Sequence, residues 1–271
     1  MPRAMVIRAA GTNCDAEMVR AFALAGAEVD LVHLDRALAD PAMLDRYDLF
    51  GFPGGFSYGD DIASGRIFAM RLRERLYPAL RSAVLRGCPI IGACNGFQVL
   101  TQVGLLPGPR PGEPWPEAGP PEPSTALADN QDARFHDRWV GVAFDPASAC
   151  VWTRGLAEDA ASDDSPAVWQ LPVAHGEGRF VTASPEVSGD LERAGQIVLR
   201  YADNYNGSEG AVAGICDVTG RVFGLMPHPE RYLDWTRHPS WTRLPADRRR
   251  GDTPGLRMFR NAVEAASLAA R

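Results

Sequence analysis

Lysine is absent from the sequence, and all 28 basic residues are arginine. A Walker-type loop needs a lysine to reach bound phosphates, and a Schiff base needs a lysine amine. Both kinds of site are therefore excluded. If the overall reaction uses ATP, this chain is not an obvious place to bind it. We predict that the chain holds no cofactor of its own, and we identify no metal site in it.

The sequence also lacks a long apolar run, an excess of positive charge and a regular cysteine pattern. No stretch of about 18 apolar residues is present, which excludes a transmembrane helix. The formal charge of −6 argues against binding to nucleic acid or to an anionic membrane. Residues 1–10 lack the apolar core of a signal peptide, and five irregularly spaced cysteines suit a reducing compartment. We expect a cytoplasmic protein.

The first hundred residues alternate short apolar runs with segments of helical periodicity. Strands are predicted at 5–8, 28–34, 47–52 and 89–93, and helices at 15–25, 67–85 and 98–103. This alternation favours an α/β fold, in which a central, mostly parallel sheet has helices on both faces. In sheets of this kind, ligands bind where loops gather at the carboxyl ends of the strands.

The second half of the sequence is richer in strand patterns. These predict strands at 139–144, 168–173, 196–201, 210–217 and 222–226, before a closing helix at 254–269. No repeat or domain-length linker interrupts the chain, so we interpret 1–271 as a single domain. Eight prolines make 107–123 an extended loop, and 231–252 is a second long loop before the last helix. Each loop is either a plain surface insertion or a contact with a partner.

The strongest local signal surrounds Cys94. An apolar strand ends there and a helix begins at once, with Gly92 and Gly96 two residues away on either side. A tight strand-to-helix turn that presents a nucleophile needs small neighbours of this kind. The start of a helix also favours the thiolate, which is the form that attacks a carbonyl carbon. A buried, inert cysteine is the alternative; we interpret Cys94 as a nucleophile.

A nucleophilic cysteine needs a base, and His228 is the candidate. It follows the apolar strand predicted at 222–226, and prolines on both sides stiffen the backbone around it. Glu230, two residues further on, can hold the imidazole in one tautomer. In isolation, His-Pro-Glu could be an ordinary turn. Together with the turn at Cys94, it completes a Cys-His-Glu set.

Acyl chemistry on an amide also needs backbone N–H groups that face the developing oxyanion. Gly54 and Gly55 follow the strand predicted at 47–52, and without side chains they allow the backbone to approach a substrate closely. A plain glycine turn is the alternative. The N–H of Asn95, next to Cys94, is the second candidate donor.

Taken together, these motifs resemble the class I, or triad, glutamine amidotransferases, which have a flavodoxin-like fold. Within that class, the resemblance is to the glutaminase subunits of phosphoribosylformylglycinamidine synthases of purine biosynthesis. The blocks that carry it occur in order along most of the chain, at 11–15, 54–60, 94–98, 172–180, 204–208 and 226–231.

The resemblance implies roles for the residues of each motif. Cys94 would form a γ-glutamyl thioester, with His228 as its general base and Glu230 as the group that orients His228. Gly55 and Asn95 would supply the oxyanion donors.

The resemblance also implies a substrate and partners. L-glutamine would contact Gly54, Gln98 and His175, with Gln98 at its amino-acid end. Ammonia would pass to a synthase subunit, which would use ATP and Mg²⁺ to convert formylglycinamide ribonucleotide into formylglycinamidine ribonucleotide. A small third subunit would bridge the two chains.

Three other functions are weighed against this one. A free-standing glutamine or γ-glutamyl hydrolase would use the same residues without a partner. A non-catalytic assembly subunit would keep only the fold, which the intact cysteine, histidine and glutamate argue against. Chaperone or stress proteins with a cysteine on a similar turn share the sheet, but His-Pro-Glu is not expected in them.

Overall fold

The computed structural model describes residues 1–163, 165–244, 246–247 and 249–269. Within these ranges, nine strands form one sheet and two form a small separate sheet. The strands are β1 (Arg3–Arg8), β2 (Glu28–His33), β3 (Leu49–Phe52), β4 (Ile90–Ala93), β5 (Thr125–Ala128), β6 (His136–Phe144), β7 (Gln170–His175), β8 (Arg179–Thr182), β9 (Ile197–Tyr201), β10 (Val212–Cys216) and β11 (Val222–Leu225). The α-helices are α1 (Asp15–Ala25), α2 (Leu34–Ala39), α3 (Arg66–Arg75), α4 (Tyr77–Leu85), α5 (Asn95–Val103), α6 (Leu156–Ala161), α7 (Pro185–Arg193) and α8 (Pro254–Ala269).

The large sheet has a parallel half and an antiparallel half. Strands β2, β1, β3, β4 and β11 lie side by side and run parallel. Beyond β11, strands β10, β9, β6 and β7 follow in that order, each antiparallel to its neighbour. The predicted α/β class is confirmed. The antiparallel half is a feature that the strand pattern did not specify.

Helices cover both faces of the parallel half. A side chain at Gly51 of β3 would meet Phe22 of α1 at 2.9 Å, whereas one at Gly92 of β4 would meet Leu100 of α5 at 2.7 Å. Gly92 pairs with Phe52, the residue after Gly51, so the two glycines face opposite sides of the sheet. Strands β3 and β4 are buried along their whole length, as expected for strands between two helical layers.

The helix predicted at 67–85 is two helices. α3 ends at Arg75 and α4 begins at Tyr77, with Leu76 between them at φ −111°. Pro78 lies in the first turn of α4 and has no N–H to donate to the end of α3, so the run of helical hydrogen bonds is interrupted there. The apolar periodicity continues through this point because both helices pack on the same core, which is why the sequence suggested one helix.

The proline-rich segment 107–123 has neither helix nor strand and lies against α4. The Tyr77 hydroxyl donates to the Pro116 carbonyl at 2.9 Å, and Arg81 Nε donates to the Trp115 carbonyl at 3.0 Å. The Trp115 side chain is buried. Hydrogen bonds from α4 side chains to backbone carbonyls of the segment therefore hold it against this helix.

The loop predicted at 231–252 contains short 3₁₀ turns at Trp235–Arg237 and Trp241–Arg243, while positions 245 and 248 lie outside the described residues. None of the described helices is long and apolar enough to cross a bilayer. The interpretation of 1–271 as one domain stays a prediction.

Candidate active site

The ends of three parallel strands bring the predicted motifs together. In register, Gly92 of β4 pairs with Phe52 at the end of β3, and Ala93 pairs with Leu225 at the end of β11. The glycine pair, Cys94 and His228 all follow these strand ends within three residues. They consequently lie at one edge of the sheet, where open α/β folds bind ligands.

Cys94 occupies a sharp turn between β4 and α5. Its backbone has φ 52° and ψ −109°, a conformation that costs a non-glycine residue about 1–3 kcal/mol. Its N–H donates to the Leu225 carbonyl at 2.8 Å, and its thiol donates to the Ala174 carbonyl at 3.6 Å. A side chain at Gly96 would lie 1.9 Å from the Phe52 carbonyl oxygen. The turn thus requires a small residue at that position, as the sequence predicts.

His228 and Glu230 form a buried pair beside Cys94. The His228 Nδ1 atom lies 2.7 Å from Glu230 Oε1, and each residue is about 1% exposed. Burial lowers the pKa of His228, but the Glu230 carboxylate and the thiolate form of Cys94 together hold this pKa well above its ordinary value of 6.5. The Nε2 atom forms no hydrogen bond to a described residue. The imidazole therefore has one nitrogen fixed by a carboxylate and the other free for proton transfer.

The glycine pair lies directly against this imidazole. A side chain at Gly54 would meet His228 Cε1 at 2.6 Å, so only glycine fits there. Gly55 has φ +142° and lies in an isolated bridge with Thr12. Among the described residues, neither the Gly55 N–H nor the Asn95 N–H donates a hydrogen bond. Two unused backbone donors are consequently present near Cys94.

Gln98 is buried and its amide is occupied by contacts within the chain. Its Nε2 donates to the Glu177 carbonyl at 2.5 Å, and its Oε1 accepts from Asn95 Nδ2 at 3.0 Å. Asn95 Nδ2 also lies 3.4 Å from Asp60 Oδ1. Burial raises the pKa of the Asp60 carboxyl, and the nearby Glu177 carboxylate raises it further. Sequence reasoning missed Asp60 and Glu177, although both lie in motifs that it had singled out.

His175 lies in a buried polar network. Its Nδ1 is 3.1 Å from Asn130 Oδ1, and its Nε2 is 2.6 Å from the Tyr205 hydroxyl. Burial, together with the nearby His228 and His136 rings, lowers the pKa of His175 to about 3. Both ring nitrogens are thus engaged by the chain itself, and the contact with glutamine stays a prediction.

Comparison with known proteins places this geometry in a family. A model described as the CobB/CobQ-like glutamine amidotransferase domain matches residues 1–264. The chain belongs to this family.

The amidotransferase is also similar to named relatives over nearly its whole length. It is 39% identical to "Phosphoribosylformylglycinamidine synthase subunit PurQ" of Dehalococcoides mccartyi, over 97% of this chain and 96% of that one. The protein of the same name from Methanococcus maripaludis is 37% identical, with 97% of each chain covered. A chain in "Structure of PurLQS from Thermotoga maritima" is 30% identical with a TM-score of 0.69, covering 97% of this chain and 98% of that one.

A second cysteine of the amidotransferase lies beside the same imidazole. Cys14 is 1% exposed, and its sulfur accepts a hydrogen bond from Arg231 Nη2 at 3.1 Å. Donor atoms of Cys14, His228 and Glu230 all lie within 4.8 Å of one another. Cys14 lies in the block 11–15 and Arg231 in the block 226–231, but nothing in the pattern indicated that the two meet.

Proposed function

We propose that this chain is the glutaminase subunit of phosphoribosylformylglycinamidine synthase. It hydrolyses L-glutamine to glutamate and ammonia, and it delivers the ammonia to a synthase subunit. The observation that carries the proposal is the placement of three buried residues after the paired strands β4 and β11: Cys94 follows β4, and His228 follows β11 with its Nδ1 2.7 Å from Glu230 Oε1. Relatives that bear the synthase-subunit name align from end to end with this chain, which supports the choice of acceptor.

The chemistry follows from the protonation of the triad. His228, with its pKa held high by Glu230 and Cys94, takes the thiol proton and leaves a thiolate. The sulfur attacks the side-chain amide carbon of glutamine to give a tetrahedral adduct. The imidazolium then returns the proton to the leaving nitrogen, which departs as ammonia. Water, deprotonated by the same imidazole, hydrolyses the thioester to glutamate.

The two unused backbone donors complete the site. The N–H groups of Gly55 and Asn95 stabilise the oxyanion of each tetrahedral adduct, and loss of one such donor slows a reaction about 10²–10³-fold. Gln98 fixes Asn95 through its amide oxygen, so that the second donor keeps its direction. Asp60 and Glu177, the carboxylates beside this pair, attract the ammonium group of glutamine.

The partner reaction explains why the ammonia is delivered rather than released. Ammonia is protonated in water at neutral pH and is then no longer a nucleophile. An enclosed transfer to the synthase subunit avoids this loss, and ATP and Mg²⁺ act on that subunit. A small bridging subunit joins the complex, which works in the cytoplasm.

Replacement of His228 by alanine tests the proposal. Because the histidine serves only the release of ammonia from glutamine, His228→Ala should reduce glutamine-dependent synthesis by the assembled complex at least about 10³-fold. Synthesis from added ammonium should stay within about twofold of the wild-type rate. Both rates are measured on one preparation of the complex by following product formation.

Gly119→Ala is the matched control, because nothing lies within 4 Å of a side chain added there. It should leave both rates unchanged. An equal loss of both activities in His228→Ala would mean that the histidine supports the fold or the assembly instead of the glutaminase reaction.

A further inference from the structure

Cys14, His228 and Glu230 form a compact set of three different metal-binding side chains. One donor atom from each lies within 4.8 Å of the other two, and all three residues are at least 98% buried. The glutaminase reaction proposed above uses His228 and Glu230 but gives Cys14 no part. The cysteine is consequently a buried thiol that needs its own explanation.

One atom of this set lacks a partner. Glu230 Oε2 forms no hydrogen bond to any residue that the structure describes. A buried polar atom without a partner costs about 1–3 kcal/mol. The Cys14 sulfur accepts a hydrogen bond from the Arg231 guanidinium at 3.1 Å, and its thiol lies 3.3 Å from Asn13 Oδ1. Zinc binds a cysteine without its proton, so the ion would displace the thiol proton of Cys14.

We propose that Cys14, His228 and Glu230 bind a Zn²⁺ ion, and that this ion switches the glutaminase site off. A thiolate, an imidazole and a carboxylate are the three ligand types that zinc takes in proteins, and a water molecule fills the fourth position. The thiolate and imidazole favour zinc over magnesium or calcium, which prefer oxygen ligands alone.

The distances suit a zinc site after a small adjustment. With bonds of about 2.3 Å to sulfur and about 2.1 Å to nitrogen and oxygen, donors around a tetrahedral zinc lie roughly 3.4–3.6 Å apart. Donors that already lie within 4.8 Å of one another need to move by only about an ångström. The ionised thiolate and carboxylate balance the charge of the ion. Arg231 then remains as a donor to the coordinated sulfur, the kind of outer contact that orients metal ligands.

A cleft of about 390 Å³ has Glu230, one of the three proposed ligands, in its wall. The other charged residues that line it carry both signs: Glu17, Asp137, Asp234, Arg20, Arg231 and Arg237. An ion in this cleft can reach the set through the Glu230 carboxylate.

Zinc in this site stops the reaction, a conclusion that rests on the proposed function. Glu230 lies at the Nδ1 end of the ring, so an ion that also binds Glu230 takes Nδ1. The neutral ring then carries its proton on Nε2, and that nitrogen can no longer accept one. Cys94 thus loses its base.

The first experiment measures zinc binding to the isolated chain by competition with a chromophoric zinc indicator at pH 7.5. We expect one site in the wild type, and binding weakened by at least about tenfold in Cys14→Ser. Cys94→Ser and Cys88→Ser should bind as the wild type does, because Cys94 lies outside the set and Cys88 hydrogen-bonds to the Tyr47 carbonyl far from it. Glu230→Gln, which loses an anionic ligand, should also weaken binding and guards against misfolding of Cys14→Ser.

X-ray absorption at the zinc edge identifies the ligands directly. One sulfur at about 2.3 Å with lighter ligands at about 2.0–2.1 Å is expected in the wild type and in Cys94→Ser, and no sulfur in Cys14→Ser. Equal affinity in the wild type and Cys14→Ser, or loss of the sulfur in Cys94→Ser, would overturn the proposal.

The second experiment measures glutamine hydrolysis by the complex during a zinc titration. Inhibition should follow the occupancy of the site, and Cys14→Ser should need at least about tenfold more zinc for half-inhibition. Zinc that binds at Cys14 without inhibiting would refute the switch. A zinc-free complex that hydrolyses no glutamine would refute the proposed glutaminase function, while the binding result would stand.

Discussion

At the scale of single residues, two buried histidines near the same strand ends are held in opposite protonation states. His228 has Glu230 at 2.7 Å and the thiolate form of Cys94 nearby, and these raise its pKa well above 6.5. His175 has only neutral hydrogen-bond partners, and burial lowers its pKa to about 3. The sequence shows Glu230, the near neighbour of His228, but it does not show Asn130 and Tyr205, which lie 45 and 30 positions away from His175.

A pH titration of the ring Cε1–H signals by NMR should separate these histidines. The His228 signal should shift at a pH well above 6.5, because the protonated ring is stabilised by Glu230. The His175 signal should stay that of the neutral ring down to about pH 5, since its pKa is about 3. In Glu230→Gln, the titration of His228 should move to lower pH.

The directions of these two pKa shifts determine how each histidine changes the stability of the fold with pH. The His228 pair contributes stability that is fully present below pH 6.5 and is lost as the pH rises through the higher folded pKa. His175 contributes stability that is present above pH 6.5 and is lost as the pH falls toward 3. A His175 signal that titrates near pH 6.5 in the folded protein would contradict this account.

At the scale of secondary-structure elements, the parallel half of the sheet could be predicted because its strands are short apolar runs bounded by turns. The strand that ends at Phe52 and the strands that precede Cys94 and His228 were predicted to within about two residues. These three strands position the site. Each motif follows its strand directly in sequence. Local pattern was therefore enough to place the glycine pair, the nucleophile and the base at one edge.

Several short elements were not predicted from the sequence. Strands β5 and β8 are only four residues long and pair with each other across about 50 residues, and α2, α6 and α7 are short. The six residues of α2 and of α6 make less than two turns, which is too little periodicity to separate a helix from a loop. Cys14 and Arg231 are 217 positions apart, and they meet without any sequence signal.

Arg73 of α3 connects this helix to the proline-rich segment by hydrogen bonds. Its Nη1 donates to three carbonyls, those of Gln102, Val103 and Pro121, at 3.1–3.2 Å. Arg73→Ala leaves these carbonyls without their shared donor, so the free energy of unfolding should fall by about 1–3 kcal/mol in urea titrations.

The exposed Arg75 at the end of the same helix is the control, and Arg75→Ala should change the free energy of unfolding by no more than about 0.5 kcal/mol. If Arg73→Ala is as stable as the wild type, the segment 107–123 does not depend on α3 for its position.

At the scale of the whole molecule, the site is built from parts of the chain that span more than 200 residues. Cys14, Gly54, Cys94, His175 and Glu230 come from five separate segments, and the sheet brings their backbones together at one edge. Such a site depends on the fold as a unit. When the protein is unfolded gradually, glutamine hydrolysis should therefore be lost in the same single transition as the fold. The site should not lose activity in separate steps as individual residues are displaced.

Two cysteines beside one imidazole make the identity of the nucleophile the central claim. Both cysteines precede a helix. Cys94 has the strained backbone and the two unused N–H donors nearby, whereas Cys14 has an arginine and no oxyanion donors assigned to it. The two thiols therefore differ in the geometry needed to attack an amide, although both are buried near His228.

Mass spectrometry after treatment with a diazo-ketone analogue of glutamine tests this claim most directly. In the presence of the synthase, the account predicts one adduct, on Cys94, which L-glutamine prevents and Cys94→Ala abolishes. Cys14→Ser should still be labelled on Cys94. An adduct on Cys14 or on another cysteine, or no adduct at all under these conditions, would contradict the account.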